Sequence, residues 1–319
     1  MKKIALLAFA MAAVLSVSAA FAGEKFPARR VEIIVPYGPG SGTDTTSRAF
    51  APSLSKVLGV PVVVQNVSGS GGLRGMEFAS KQPADGYTLF MCTPTHILSI
   101  VQNLSPVVLT KDFDPVSGLV QDSTLVTTSA KGRFKTWQEM AAFAKDHPGE
   151  VTVAGLSPKG IDAISMRMLG KAAGIDITFV PFASGAESTS AILGGHIDLG
   201  NEGPADAYDM IMGNEQIALL VASEKRLAGL PDVPTSIDLG LNVVTGPWRS
   251  YAVPKGTPPE RIKILQDAIH EAYKSPEFQA WLKEMMLDQR PGLRTAEELG
   301  KKWAEDLEFF TNAFKELGL

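Results

Sequence analysis

The sequence predicts an α/β fold arranged in two lobes. Short apolar runs alternate with helical patterns along most of the chain, as strands and helices taken in turn would give. Of the 319 residues, about 297 remain after an N-terminal leader, more than one hydrophobic core usually supports. No internal repeat and no low-complexity linker interrupts that alternation.

Met1-Lys2-Lys3 is a short basic start, Ile4 to Val17 is almost unbrokenly apolar, and Ala20-Phe21-Ala22 supplies a small-x-small cleavage signal. Residues 1–22 therefore read as a cleavable signal peptide, with a mature chain starting at Gly23 and an exported, periplasmic destination. No cysteine sits at the cleavage site to take a lipid, and no later stretch approaches the roughly eighteen apolar residues of a transmembrane helix. The formal charge is −4, and −6 once Lys2 and Lys3 are removed. A mildly acidic chain without a basic run argues against a nucleic-acid partner. Cys92 has no partner for a disulfide, and its apolar surroundings predict a buried, inert thiol.

Val31 to Val35 reads as the first strand, followed by a glycine loop and a helix whose Phe50, Leu54, Val57 and Leu58 share one face. Gly59 ends that helix, and Pro52 inside it predicts a kink or an early break. Pro61 to Gln65 is the second strand, Ser68 to Gly75 a second glycine loop, and Tyr87 to Thr93 the third strand. All three carry their loops at the carboxyl end, the edge where open α/β sheets hold ligands. A second section begins near Leu125. Thr136 to Glu139 is a capping box, Glu150 to Ala154 a strand, Ile161 to Ala173 a helix and Ile177 to Pro181 a strand. The loop Phe182 to Glu187 leads into a short helix, and Gln216 to Ala222 is a further strand. After Tyr251-Ala252-Val253 the chain turns helical, over Pro258–Lys274, Glu277–Met286 and Ala296–Leu317, and this tail is expected to brace the first lobe.

The loop Pro36-Tyr37-Gly38-Pro39-Gly40-Ser41-Gly42-Thr43-Asp44 carries the most chemistry. Its glycines let backbone N–H groups converge, Thr43 or Asp44 can cap the following helix, and the helix dipole favours an anion there. Ser68-Gly69-Ser70-Gly71-Gly72 repeats the device after the next strand, so the two loops together could grip one carboxylate. Nucleotide loops fit poorly. A Walker A loop needs Lys and Ser/Thr where Thr43-Asp44 stand, and the sixth place of a dinucleotide fingerprint falls on Thr45 or Arg74 instead of glycine.

Nothing supports catalysis, a cofactor or a metal. His96, His147, His196 and His270 are scattered, no G-x-S-x-G elbow is present, and Glu297-Glu298 and Glu305-Asp306 fall on a charged terminal helix. No catalytic residue is assigned, and the chain is expected not to be an enzyme.

The residues resemble the substrate-binding subunits of tripartite tricarboxylate transporters, the family of the Bordetella uptake proteins. The resemblance runs over nearly the whole mature chain. Ile33-Ile34-Val35-Pro36 leads into the first loop, followed by Pro83 to Leu89, Lys111-Asp112-Phe113, Val180-Pro181-Phe182 and Leu193 to Asp198. Leu230 to Thr235, Gly246-Pro247-Trp248-Arg249 and Ala252 to Pro258 complete it. It implies a type II-like periplasmic binding-protein fold with the ligand in a cleft between lobes, the first formed by residues 23–125 and 249–319 and the second by 126–248. It also implies a monomer that hands a small organic carboxylate, a di- or tricarboxylate ahead of an aromatic one, to membrane subunits of such a transporter. The carboxylate would be held by Tyr37, Gly40, Ser41, Gly42, Thr43 and Asp44, and by Gly69, Ser70, Gly71, Gly72 and Leu73 of the second loop. Thr93 and Thr95 would offer hydroxyls, while Ser157, Gly160, Ser184, Gly185 and Glu187 would line the opposite wall. Arg249 could pair a distal carboxylate bidentately or form an ion pair at the hinge. Arg74 could add positive potential or face solvent. Ser184, Ala186 and Ser250 stand where the tricarboxylate branch more often has glycine, which narrows the loops and tells against citrate. A periplasmic sensor presenting a carboxylate to a receptor kinase would share all these features.

Overall fold

The computed structural model describes residues 25–318, so the signal peptide expected over residues 1–22 lies outside the described residues. Strand β1 (Val31–Val35) is flanked by β2 (Val62–Asn66) and β3 (Thr88–Cys92), both parallel to it. Helix α1 (Gly42–Leu58) crosses from β1 to β2, packs Phe50 and Leu54 on the sheet, and ends at Gly59 in the left-handed region. The break expected at Pro52 does not occur, and α1 runs through it. Pro52 and Arg48 both face solvent, so the Arg48 carbonyl that the proline leaves unpaired can be hydrated.

A single 3₁₀ turn at Ser70–Gly72 opens α2 (Leu73–Ser80). After β3 come α3 (Pro94–Val101), the short α4 (Leu109–Asp112) and β4 (Phe113–Gln121). The chain then crosses to a second sheet through β5 (Thr124–Ser129), α5 (Trp137–Asp146), β6 (Val151–Gly155) and α6 (Ile161–Ala173). This section continues with β7 (Ile177–Pro181), α7 (Gly185–Leu193), β8 (Leu199–Glu202), α8 (Pro204–Met212) and β9 (Gln216–Ala222). It returns in β10 (Trp248–Pro254), followed by α9 (Pro259–Tyr273), α10 (Pro276–Glu284) and α11 (Ala296–Leu317).

The strand orders are β2-β1-β3-β10-β4 and β7-β6-β8-β5-β9, five strands in each sheet. Each sheet thus carries parallel strands on one side and antiparallel ones on the other, with β10 antiparallel to both β3 and β4. The C-terminal helices do brace the first sheet. Leu265, Ile269, Phe278 and Leu282 pack with Phe50 and Leu54 on one face, and Leu299, Trp303 and Phe310 pack with Ile34, Phe90 and Phe113 on the other. Burying each such side chain contributes about 1.5–3 kcal/mol. The second sheet has its own core around Val126, Trp137, Met140, Val153, Leu169 and Leu220. The chain passes between sheets at 121–124 and 222–248, and Asp122 and Arg249 stand at these two crossings.

Candidate ligand site

A cavity of about 510 Å³ lies between the lobes, fed by loops from both sheets. Its first-lobe wall begins with the β1–α1 loop. Ser41 is the N-cap of α1, its hydroxyl accepting from the Asp44 N–H at 3.4 Å. Beneath the loop, Asp44 is 3% exposed and accepts from Gly40 N–H at 3.0 Å, Arg48 Nε at 2.9 Å and Asn66 Nδ2 at 2.9 Å. Burial alone would raise its pKa, but these hydrogen bonds, Arg48 first, outweigh it and hold the carboxyl below its usual range. Asp44 thus ties the loop to the helix and to β2. The loop in turn leaves the N–H groups of Gly42 and Thr43 without a hydrogen-bond partner among the described residues, at the positive end of a 17-residue helix.

Beside these amides stand hydroxyls. Tyr37 Oη lies 3.2 Å from Thr93 Oγ1, and burial raises the phenol's pKa. His96 caps α3 by accepting the Thr93 N–H on Nδ1 at 3.1 Å. Burial pushes its pKa down to about 4, so the ring is neutral and acts as a structural acceptor.

The opposite wall is acidic. Asp162, in the first turn of α6, accepts the Leu156 N–H at 3.2 Å, and burial pushes it up to about 6. Glu202 ends β8 and accepts from Thr127 Oγ1 at 3.2 Å. Burial and then the charge of Asp206 push it up to about 7. Arg249 forms the floor. Its Nη1 donates to Asp122 at 2.9 Å, with side chains 2% and 1% exposed, and its Nη2 lies 3.7 Å from Asp206. Burial outweighs the guanidinium at Asp122 and raises it to about 6. A β-carbon on Gly42 would come within 2.7 Å of Asp206 Oδ1 and would also strike Arg249, so a side chain here would push the ends of both away from the first loop. The lobes touch at the rim, where Gly71 faces the Ser157 hydroxyl and the Ile161 N–H reaches Thr95 Oγ1 at 3.4 Å.

Of the residues singled out in the sequence, Tyr37, Gly40, Ser41, Gly42, Thr43, Thr93, Thr95, Ser157, Gly185 and Arg249 line the cavity. Asp44 supports the loop from below. Gly69, Ser70, Gly71, Gly72 and Leu73 do not line it, since Gly72 packs against the Tyr37 ring and Tyr37 takes the cavity side. The first-lobe wall therefore comes from one glycine loop, where two were expected. Gly160 abuts Thr95 at the rim. Ser184 caps α7 through the Glu187 N–H, and the exposed Glu187 carboxylate returns to the Ala183 N–H at 3.2 Å. Arg74 faces solvent, as one of its two readings held. Asp162, Asn201, Glu202 and Asp206 also line the cavity and were not picked out in the sequence. Asn201-Glu202-Gly203-Pro204, a strand end running into a helix with proline at its first position, was the signal available.

Cys92 is buried, donates to the Ser250 carbonyl at 3.4 Å, and is pushed by burial to about 12, so its thiol is not poised as a nucleophile. Among the described residues no group of three His, Cys, Asp or Glu side chains could hold a metal ion. No described helix is long and apolar enough to cross a membrane. The cavity offers amide and hydroxyl donors on one side and carboxylates on the other, an arrangement for gripping a small polar molecule.

The sequence profile of the tripartite tricarboxylate transporter family receptor matches residues 46–308. The protein BugT of Bordetella pertussis is 32% identical over 264 residues, covering 81% of each chain. A solved periplasmic transporter superposes with a TM-score of 0.84 at 28% identity, over 91% of this chain and 97% of the other. MatC from Rhodopseudomonas palustris, solved with bound malate, gives 0.81 at 25% identity, over 90% and 99%. Two α/β lobes, joined by two crossings around a cavity with donors on one wall and carboxylates on the other, are accompanied by this breadth of likeness, and the chain belongs to the tripartite tricarboxylate transporter receptor family of periplasmic solute-binding proteins.

Proposed function

We propose that this chain is an extracytoplasmic receptor that captures a small organic carboxylate between its lobes and delivers it to the membrane subunits of a tripartite tricarboxylate-type transporter. The observation that carries the reading is that Gly42 and Thr43, whose N–H groups have no partner among the described residues, line the cavity together with Tyr37, Thr93 and Thr95. The leader at residues 1–22 supports a periplasmic destination. A relative that holds malate in the same fold supports a carboxylate ligand.

Capture works by closure. The carboxylate docks on the α1 N-terminus, and the lobe built from 126–248 rotates over it about the crossings at Asp122 and Arg249. The ligand favours the closed form only to the extent that it contacts that form better than the open one. The test is a thermal-shift screen of mature protein, unfolded and refolded to strip carried ligand, against small carboxylates. A ligand at a hundred times its dissociation constant adds about 2.7 kcal/mol, a rise of a few degrees. A folded protein that no carboxylate stabilises overturns the reading.

A further inference from the structure

We propose that the ligand is a small zwitterion whose carboxylate meets the Gly42–Thr43 amides and whose ammonium end faces Asp162, Glu202 and Asp206. This inference rests on the carboxylate reading above and narrows it. The ionisable side chains lining the cavity, tyrosine apart, are Asp162, Glu202, Asp206, Asp209 and Glu215 against the single cation Arg249. That cation is already committed, with Nη1 on Asp122 at 2.9 Å and Nη2 3.7 Å from Asp206. Asp162 accepts from the Leu156 amide and Glu202 from the Thr127 and Thr189 hydroxyls, and no described Lys or Arg reaches either within ion-pair distance. No described cluster can hold a metal ion that would supply the missing positive charge. A cationic group on the ligand would supply the positive charge that the wall lacks.

An independent mark of a missing partner lies on the same floor. Arg249 is 2% exposed, and its Nε is a buried donor with no acceptor. A buried donor without a partner is costly, and an acceptor atom of a bound molecule would satisfy it. Acceptor need at Arg249 and the α1 amides, and donor need at Asp162 and Glu202, together describe a molecule with both ends. A dicarboxylate would instead set its second anion against the acidic wall and be repelled by it.

Matched pairs test this, each differing only in the distal group. Stripped mature protein is titrated calorimetrically at pH 8 with succinate and 4-aminobutanoate, glutarate and 5-aminopentanoate, and adipate and 6-aminohexanoate. The amino acid is expected to bind at least tenfold tighter than its dicarboxylate partner in one pair or more, a difference of about 1.4 kcal/mol. Equal or tighter binding of the dicarboxylate in every pair overturns the zwitterion while leaving carboxylate capture standing. Binding by no member of any pair overturns both. The Glu202→Gln/Asp162→Asn variant supplies a second reading. Its amino-acid preference should fall about tenfold through weaker amino-acid and stronger dicarboxylate binding, whereas an unchanged ratio would assign the two acids a purely structural part and sink the proposal.

Discussion

Replacing Glu202 by Gln should make the ligand-free protein more stable at pH 8. The carboxyl ordinarily titrates near 4.5, and in the fold it is pushed up to about 7, by burial first and then by Asp206. The folded state therefore holds a proton that the unfolded state has already released across that window. Stability is lost as pH rises from about 4.5 to about 7, and the full penalty stands at pH 8. At 1.36 kcal/mol per pKa unit the penalty approaches about 3 kcal/mol, and because the side chain is only half-buried, solvent screening brings it to about 1–2 kcal/mol. The glutamine oxygen can keep the bond from Thr127 Oγ1 while removing the charge. With roughly 2–4 °C per kcal/mol for a chain of this size, the melting temperature should rise about 2–8 °C at pH 8. The gain over the parent should shrink steadily toward pH 5. Differential scanning calorimetry of stripped protein at both pH values measures it. A variant less stable at pH 8, or one gaining equally at both, would refute the argument that this carboxylate is held at a cost.

Three further outcomes follow from the same geometry. Arg249→Met leaves Asp122, 1% exposed, as an unpaired buried charge, and should cost about 3–5 kcal/mol in denaturant unfolding; adding Asp122→Asn should recover most of the loss. Asp44→Ala removes the acceptor for Gly40, Arg48 and Asn66, so about 2–3 kcal/mol of stability and at least tenfold in carboxylate affinity should go together; unchanged affinity would place the ligand elsewhere. Gly42→Ala drives a methyl group against Asp206 and Arg249, so X-ray scattering should show a more extended chain that ligand no longer compacts, with little change in helix content by circular dichroism.

The first lobe was largely legible in the sequence because its signals are local. Val31 to Val35, the glycine loop and the Phe50–Leu54 face each declare themselves within a few residues, and Thr295 with Glu298 marks the start of α11 at Ala296. The signals fade in elements buried on every side. Helix α3 buries its first six residues, and β4 its last six, polar ones included, so neither shows the alternation of wet and dry faces that would mark its period. Pro52 misled for the converse reason. A proline on the wet side of a helix costs less than its sequence position suggests, because water replaces the hydrogen bond it removes.

The acidic wall was illegible for a different reason. Asp162, Glu202 and Asp206 belong to α6, β8 and α8, and none stands in a spacing that announces chemistry. Their common surface exists only because the parallel strands β6 and β8 release their helices at one edge, while the crossings at Asp122 and Arg249 fold that edge back over α1. A glycine loop can be recognised alone since the backbone itself is the binding group. Side chains that bind from separate elements acquire a joint meaning only after topology brings them together. The amide part of the donor wall is thus written in nine consecutive residues, and the acceptor wall is written in the connection order of the second sheet.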